Sequence, residues 1–363
     1  MSESFEGGRR VPVDELLALV TEIFQRCQMS RADAALLADS LVYADLSGIH
    51  SHGVLRVPEY IVKLTTGGVN PTGRPSIVRD AGACLVIDGD NSMGQIGMDF
   101  ATKRVIERAA VHGIAAAGIR GSNHSGAMAY YAGQAVAHGM IGIATTNALP
   151  TMAPWGGVEK LLGINPLGVA IPAGEERPIV FDAAFSGSSH GKIRIYQQKG
   201  WPLPEGWALD REGQPTTDPA AAIDGLLMPI GGFKGTALAL IMGVLSSMLS
   251  GAAYGTELGD MQSGPRPGQD GHFVAAIRVE AFEDLDVFKS RVDGAIRQIH
   301  ECRPAAGVER IYAPGELEFL RQAEYRAQGI PLNGVTLGDL EGAAERVGVD
   351  MDRYPTFRKV AEL

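Results

Sequence analysis

The segment Cys84-Leu85-Val86-Ile87-Asp88-Gly89-Asp90-Asn91-Ser92-Met93-Gly94-Gln95-Ile96-Gly97 rules on which α/β architecture this chain adopts. A short apolar run followed by glycines is the place for the G-x-G-x-x-G fingerprint of a doubly wound sheet. Here the glycines fall at 89, 94 and 97, and Ser92 stands where a fingerprint glycine is required. A strand and a helix are still predicted, but not a Rossmann fold. No G-x-x-x-x-G-K-[ST] occurs, so nucleotide hydrolysis on a P-loop is unsupported.

Outward from that segment, short apolar runs alternate with helical stretches. Strands are predicted at Cys84–Asp88, Ile114–Ile119, Ile141–Thr145, Leu167–Ile171, Ile179–Asp182 and Phe273–Val279, with helices at Phe100–His112, Met128–His138 and Lys234–Leu249. Before them the chain reads as helical: Leu16, Val20, Ile23, Phe24 and Cys27 share one face, and Ser30 three residues before Asp33 resembles a capping box. After Leu285 helices return, with the stripe Phe288, Val292, Ile296 and Ile299, then Glu316–Ala327 and Leu337–Val347. The expected fold is α+β. Residues 1–78 and 311–363 form a helical domain, and residues 79–310 a mixed-sheet domain.

Composition narrows the function. Lys plus Arg is 32 against 42 Asp plus Glu, a net charge of −10, which disfavours nucleic acid and anionic membranes as partners. Three scattered cysteines make neither a disulfide framework nor a CxxC pair, and Met1 to Arg10 lacks an apolar signal core, so a cytoplasmic setting is expected. The uncharged run Gly235–Thr256 reads as a buried helix rather than a membrane span. Glycine is in excess, 47 residues of 363 or about 13% against a usual ~7%. It gathers at turns, as expected where backbone approaches a ligand closely.

Several clusters could carry chemistry. Asp45 to Gly53 brings His50 and His52 to a helix-to-loop junction, with Ser51 and Arg56 beside them. Imidazole titrates near neutrality and suits proton exchange at a carbonyl. The planar fork of Arg56 suits a carboxylate, unless it merely pairs with a nearby acid. His50 reads as a turn cap. A metal site is not expected, because a helix precedes His50-x-His52 and no further ligand set follows. His124, in Gly121-Ser122-Asn123-His124-Ser125-Gly126, falls between a strand and a helix. Gly187-Ser188-Ser189-His190-Gly191 matches the hydrolase elbow, so a serine hydrolase using Ser189 with His272 or His300 is the alternative from another class. Gly231-Gly232-Phe233-Lys234-Gly235 opens a helix whose N–H groups and lysine suit a phosphate. Pro314-Gly315-Glu316 opens another.

Taken in order, these motifs resemble the malate/L-lactate dehydrogenase family that lacks a Rossmann domain. The resemblance runs through Asp45 to Arg56, Ser122-Asn123-His124, Tyr130-Tyr131-Ala132, Pro154-Trp155-Gly156-Gly157, Gly163-Ile164-Asn165-Pro166, Gly206 to Asp210, Gly213 to Pro219, Pro229 to Gly235 and Pro314 to Glu316. Members include sulfolactate, ureidoglycolate, diketogulonate and piperideine-2-carboxylate oxidoreductases. The resemblance implies a homodimer that moves hydride between NAD or NADP and a small 2-oxo or 2-hydroxy acid, or a cyclic 2-imino carboxylate. It implies His52 as the proton donor or acceptor, His124 as the second acid/base candidate, and Ser51 and Arg56 at the substrate. The cofactor would lie along Asn147, Ala148, Ile179, Val180, Phe181, Asp182, Ala183, Ala184, Phe233, Lys234, Pro314, Gly315 and Glu316. The chain departs from the family pattern at Asp182-Ala183-Ala184-Phe185-Ser186 and at Gly231 to Ala237, both in the implied cofactor lining.

Overall fold

The computed structural model describes residues 8–261 and 264–357. Its centre is a seven-stranded sheet in the spatial order Ser76–Asp80, Cys84–Asp88, Ile114–Ser122, Asp270–Arg278, Met140–Thr146, Leu167–Ile171, Ile179–Ala183. Only one neighbouring pair is parallel, Cys84–Asp88 with Ile114–Ser122, joined by the helix Gly94–His112. Every other pairing in that sheet is antiparallel. A single βαβ unit within an antiparallel framework is a mixed α+β sheet, and it leaves no row of parallel strand ends to form a dinucleotide crevice.

The sheet begins at Ser76, inside the stretch read as helical, because the exposed strand Ser76–Asp80 carries too little apolar pattern to announce itself. The Phe273–Val279 strand starts earlier, at Asp270, and Val279 belongs to a following turn. A second sheet of five short strands was not predicted: Pro215–Thr216, Ala208–Leu209, Leu226–Leu227, Pro150–Met152 and Leu162–Gly163. Strands of two or three residues have no period to read.

Three apolar cores result. One packs the first helices, Val13–Arg26, Arg31–Leu46 and Val57–Thr65, against Ile330–Leu332, Gly334–Arg346 and the turn ending at Phe357, so both ends of the chain share it. Ser30 caps the second helix as its sequence suggests, accepting from Asp33 N at 3.1 Å. A second core lies on the large sheet under Gly94–His112, and a third joins the small sheet to the helices around Ile193 and Ala239. The Gly94–His112 helix spans the first two: Met93 and Ile96 at its start pack among the helices, Met98, Ala101 and Val105 on the sheet.

The uncharged run forms a helix at Phe233–Gly243 that continues as a π-turn at Val244–Met248. It is not buried as expected. One stripe of it, Leu238, Ile241 (51% exposed), Val244 and Met248 (53%), faces outward. Among the described residues no helix is long and apolar enough to cross a membrane.

Candidate active site

Asp45 organises the first half of the site. Fully buried at the end of Arg31–Leu46, it places Oδ1 2.7 Å from Nδ1 of His50, while Oδ2 accepts from Val54 N at 2.7 Å. One carboxylate thus fixes both ends of the turn that carries Ser51 and His52. The turn passes so close that a side chain at Gly53 would overlap this carboxylate at 2.3 Å. His50 is therefore a turn residue. Ser51 Oγ lies 3.0 Å from Nδ1 of His52. Arg56 donates from Nε to Ser51 O at 2.9 Å and from Nη1 to Glu59 at 2.8 Å, the acid pairing that its sequence position allowed.

The second half arrives from the sheet. Ile114–Ser122 ends in a loop that Asn123 clamps, donating from Nδ2 to Asn91 O, Asn91 Oδ1 and Ser92 O and accepting from Gly268 N at 2.8 Å. Gly94 is required here. Its helix start lies against this loop, and a Cβ would stand 2.0 Å from Asn123 O and 2.6 Å from His124 O. Gly89, which lies against Gly121 O, and Gly94 thus permit backbone to meet backbone. His124 is carried to His52, and the two rings stack with centroids 5.8 Å apart and planes 15° apart.

Both imidazoles are held neutral. Burial, assisted by the positive charge of Arg56, pulls His52 down to about 4. His124 is lowered well below the usual value by burial first, then by Arg56, His52 and His272. Tyr60 and Gln95 back His124, two residues that sequence reasoning did not select. Their only signal was a tyrosine one helical turn past Arg56 and a polar residue in the glycine segment.

The residues implied for a cofactor divide. Val180, Phe181, Asp182, Pro314 and Gly315 line a cavity of about 210 Å³, together with Tyr43, Ile49, Ala129 and Phe319. The two segments are stitched by Val180 N donating to Pro314 O at 3.0 Å. Ile49 brings this cavity to the His52 turn. Asp182 accepts from Ala129 N at 2.7 Å, and burial raises its carboxyl to about 6. Apolar walls with Phe181 and Phe319 fit a flat heteroaromatic ring, though the volume holds only part of a dinucleotide.

The other implied positions differ. The Asn147 side chain is spent inside the protein on Ser247, Ala253 O and Gly271 N, and Ala148 N donates to Asn165. The carboxylate of Glu316 is held by His300, Ala313 N and Arg310. Phe233 and Lys234 are exposed at the head of their helix. Phe185, one of the departures from the family pattern, is buried in the third core rather than in the cavity.

The hydrolase alternative is overturned. Ser189 Oγ accepts from Lys192 N at 3.2 Å as a helix cap. His272 is buried in the sheet between Thr146 and Ser122, 2.8 Å from each hydroxyl, and burial lowers it to about 3. His300 pairs with Glu316 at 2.8 Å. Neither histidine is placed to take a proton from Ser189.

Comparison with known proteins identifies the family. The family model for malate/L-lactate dehydrogenase matches residues 11–341. The chain is 37% identical over 348 residues to a malate dehydrogenase of Pyrococcus abyssi, spanning 94% of this chain and 95% of that protein. It is 32% identical over 341 residues to a Delta(1)-pyrroline-2-carboxylate/Delta(1)-piperideine-2-carboxylate reductase of Pseudomonas putida, spanning 93% and 97%. The solved sulfolactate dehydrogenase of Methanocaldococcus jannaschii superposes with a TM-score of 0.91 at 34% identity, covering 96% of this chain and all of that one. By the family model, by sequence identity over nearly its whole length and by superposition on a solved relative, the chain belongs to the malate/L-lactate dehydrogenase family.

Proposed function

We propose that the chain transfers hydride reversibly between a nicotinamide dinucleotide, NAD or NADP, and C2 of a small 2-oxo or 2-hydroxy carboxylate such as malate, lactate or sulfolactate. Membership of this family makes it an oxidoreductase of 2-hydroxy acids. The observation that supports the site is the stacked His52–His124 pair beside Arg56, on a turn that also borders the Val180–Asp182 and Pro314–Gly315 cavity. A bound nicotinamide supplies the hydride acceptor or donor. His52 exchanges the proton with the substrate oxygen, and Ser51 orients its ring. Arg56 turns its guanidinium from Glu59 to the substrate carboxylate, and the fixed turn holds these groups in one geometry. Val180 and Phe181 would pack a cofactor ring, and the head of the Phe233 helix with Lys234 would face its phosphates. A cyclic 2-imino carboxylate needs the same clamp and proton donor, and one of the relatives named above is a reductase of that class.

The test is absorbance of the reduced cofactor with purified protein, both cofactors and a panel of 2-oxo, 2-hydroxy and cyclic 2-imino acids. Turnover of at least one acid is expected. A folded protein inert toward all of them overturns the reading.

The pH profile has a definite sign. With His52 at about 4 in the free enzyme, it is an unprotonated base throughout the neutral range. For hydroxy-acid oxidation, kcat/KM should therefore be flat from about pH 5 upward and fall tenfold per unit below about 4. For reduction, which needs the proton, kcat/KM should fall as pH rises. An oxidation limb centred at the ordinary histidine value, about 6.5, would show that the base is not lowered by burial as His52 is here.

The outward stripe of Leu238, Ile241, Val244 and Met248 fits a homodimer interface, because an apolar helix face of this kind is commonly covered by a second copy. Light scattering should give twice 38.3 kDa, and Ile241→Asp should shift the mass toward the monomer. A wild-type monomer at working concentration sinks this proposal. The cysteines are free, Cys27 buried and Cys84 and Cys302 exposed. That fits a reducing cytoplasmic setting, which cell fractionation would check.

A further inference from the structure

Behind His124 runs a buried chain of side chains. Tyr60 and Gln95 are wholly excluded from solvent. The Tyr60 hydroxyl lies 2.6 Å from Nδ1 of His124, and Gln95 Nε2 donates to the same hydroxyl at 3.2 Å. A phenol carries one proton. With an amide N–H already directed at its oxygen, that proton goes to Nδ1 of His124. A ring nitrogen that accepts is bare, so the neutral ring carries its hydrogen on Nε2.

The orientation of the Gln95 amide decides this direction. As placed, it leaves Oε1 buried without a partner. Turned over, it would leave the amide N–H groups unpaired instead. Orphaned buried N–H groups are rarer than under-satisfied carbonyl oxygens, which favours the amide as donor. Burial keeps the Tyr60 phenol protonated, so it remains able to donate.

We infer that Tyr60 is a positioning residue, itself held by Gln95, which locks His124 as the Nε2–H tautomer and makes that ring a neutral hydrogen-bond donor to the reacting oxygen rather than a carrier of the proton. This rests on the His52–His124 pair being the reacting end of the site. It divides the labour between the two stacked rings. His52, set against the Ser51 hydroxyl, exchanges the proton. His124 polarises the carbonyl of a 2-oxo acid and stabilises the alkoxide of a 2-hydroxy acid, as a preorganised neutral donor can without changing its own charge.

The experiment is nitrogen NMR of the full-length protein labelled with ¹⁵N at histidine, with the His124 signals assigned from a His124→Gln variant. Wild type should show a bare Nδ1 and a protonated Nε2 across the neutral range. Tyr60→Phe, which keeps the ring and removes the hydroxyl, should give a mixture of tautomers. It should also lower kcat by about tenfold with KM for the acid nearly unchanged. Gln95→Met provides a second variant that leaves the Tyr60–His124 contact in place and should loosen the same tautomer. A protonated Nδ1 in wild type, or a Tyr60→Phe protein with unchanged tautomer and unchanged kcat, overturns the inference. The tautomer is read without turnover, so an enzyme inert toward the whole acid panel would refute the site reading separately.

Discussion

His52→Ala should lower kcat by on the order of 10² or more while leaving the fold intact. The side chain is a minor structural element: its hydrogen bond is to Ser51 and its ring stacks on His124. The turn that carries it is held instead by Asp45, through His50 and Val54 N. Removing the imidazole therefore deletes the group proposed to exchange the proton and little else. Absorbance of the reduced cofactor at saturating acid measures the loss, and circular dichroism checks the fold. KM should change much less than kcat, because Arg56 and the cavity remain. Near-normal turnover would move proton transfer to His124 and contradict the division of labour between the two rings.

Gly94→Ala should be strongly destabilising. Two effects oppose each other. Alanine at a helix position is worth up to about 1 kcal/mol over glycine. The added carbon, however, would sit 2.0 Å from Asn123 O and 2.6 Å from His124 O, both backbone atoms that cannot rotate away. Overpacking of this kind typically costs about 1–3 kcal/mol and more when backbone must move. The clash wins, and a net loss of about 2 kcal/mol or more is expected in urea denaturation. The strain falls on the loop that brings His124 to His52, so activity of the folded fraction should drop too. A variant as stable as wild type would show that the helix start and this loop are not in contact.

Much of the fold was legible. The apolar run at Cys84–Asp88 marks a strand and the first long helix carries an apolar stripe, so these elements could be read from local pattern, whereas the alternate burial of Leu85 and Ile87 about Val86 could not. The small sheet could not, since its strands are too short to repeat a pattern. Nor could the exposure of Ile241 and Met248, because an uncharged helix reads as buried. At the site, His52, Arg56 and His124 were selected because few residue types move protons or clamp carboxylates. Asn147 and Glu316 were selected by position in a motif, yet their side chains hold loops together.

The segment Cys84 to Gly97 draws the boundary. Its own residues were enough to exclude a Rossmann fingerprint, because a missing glycine is a local fact about which backbone conformations are open. What its glycines and Gln95 do instead depended on elements far away in the chain. Gly94 meets Asn123 and His124, and Gln95 reaches His124 through Tyr60. Steric contact and hydrogen bonding act over a few ångströms of space, whatever the distance along the chain. Local sequence could therefore name the chemistry, while only packing could bring its members within reach of one another.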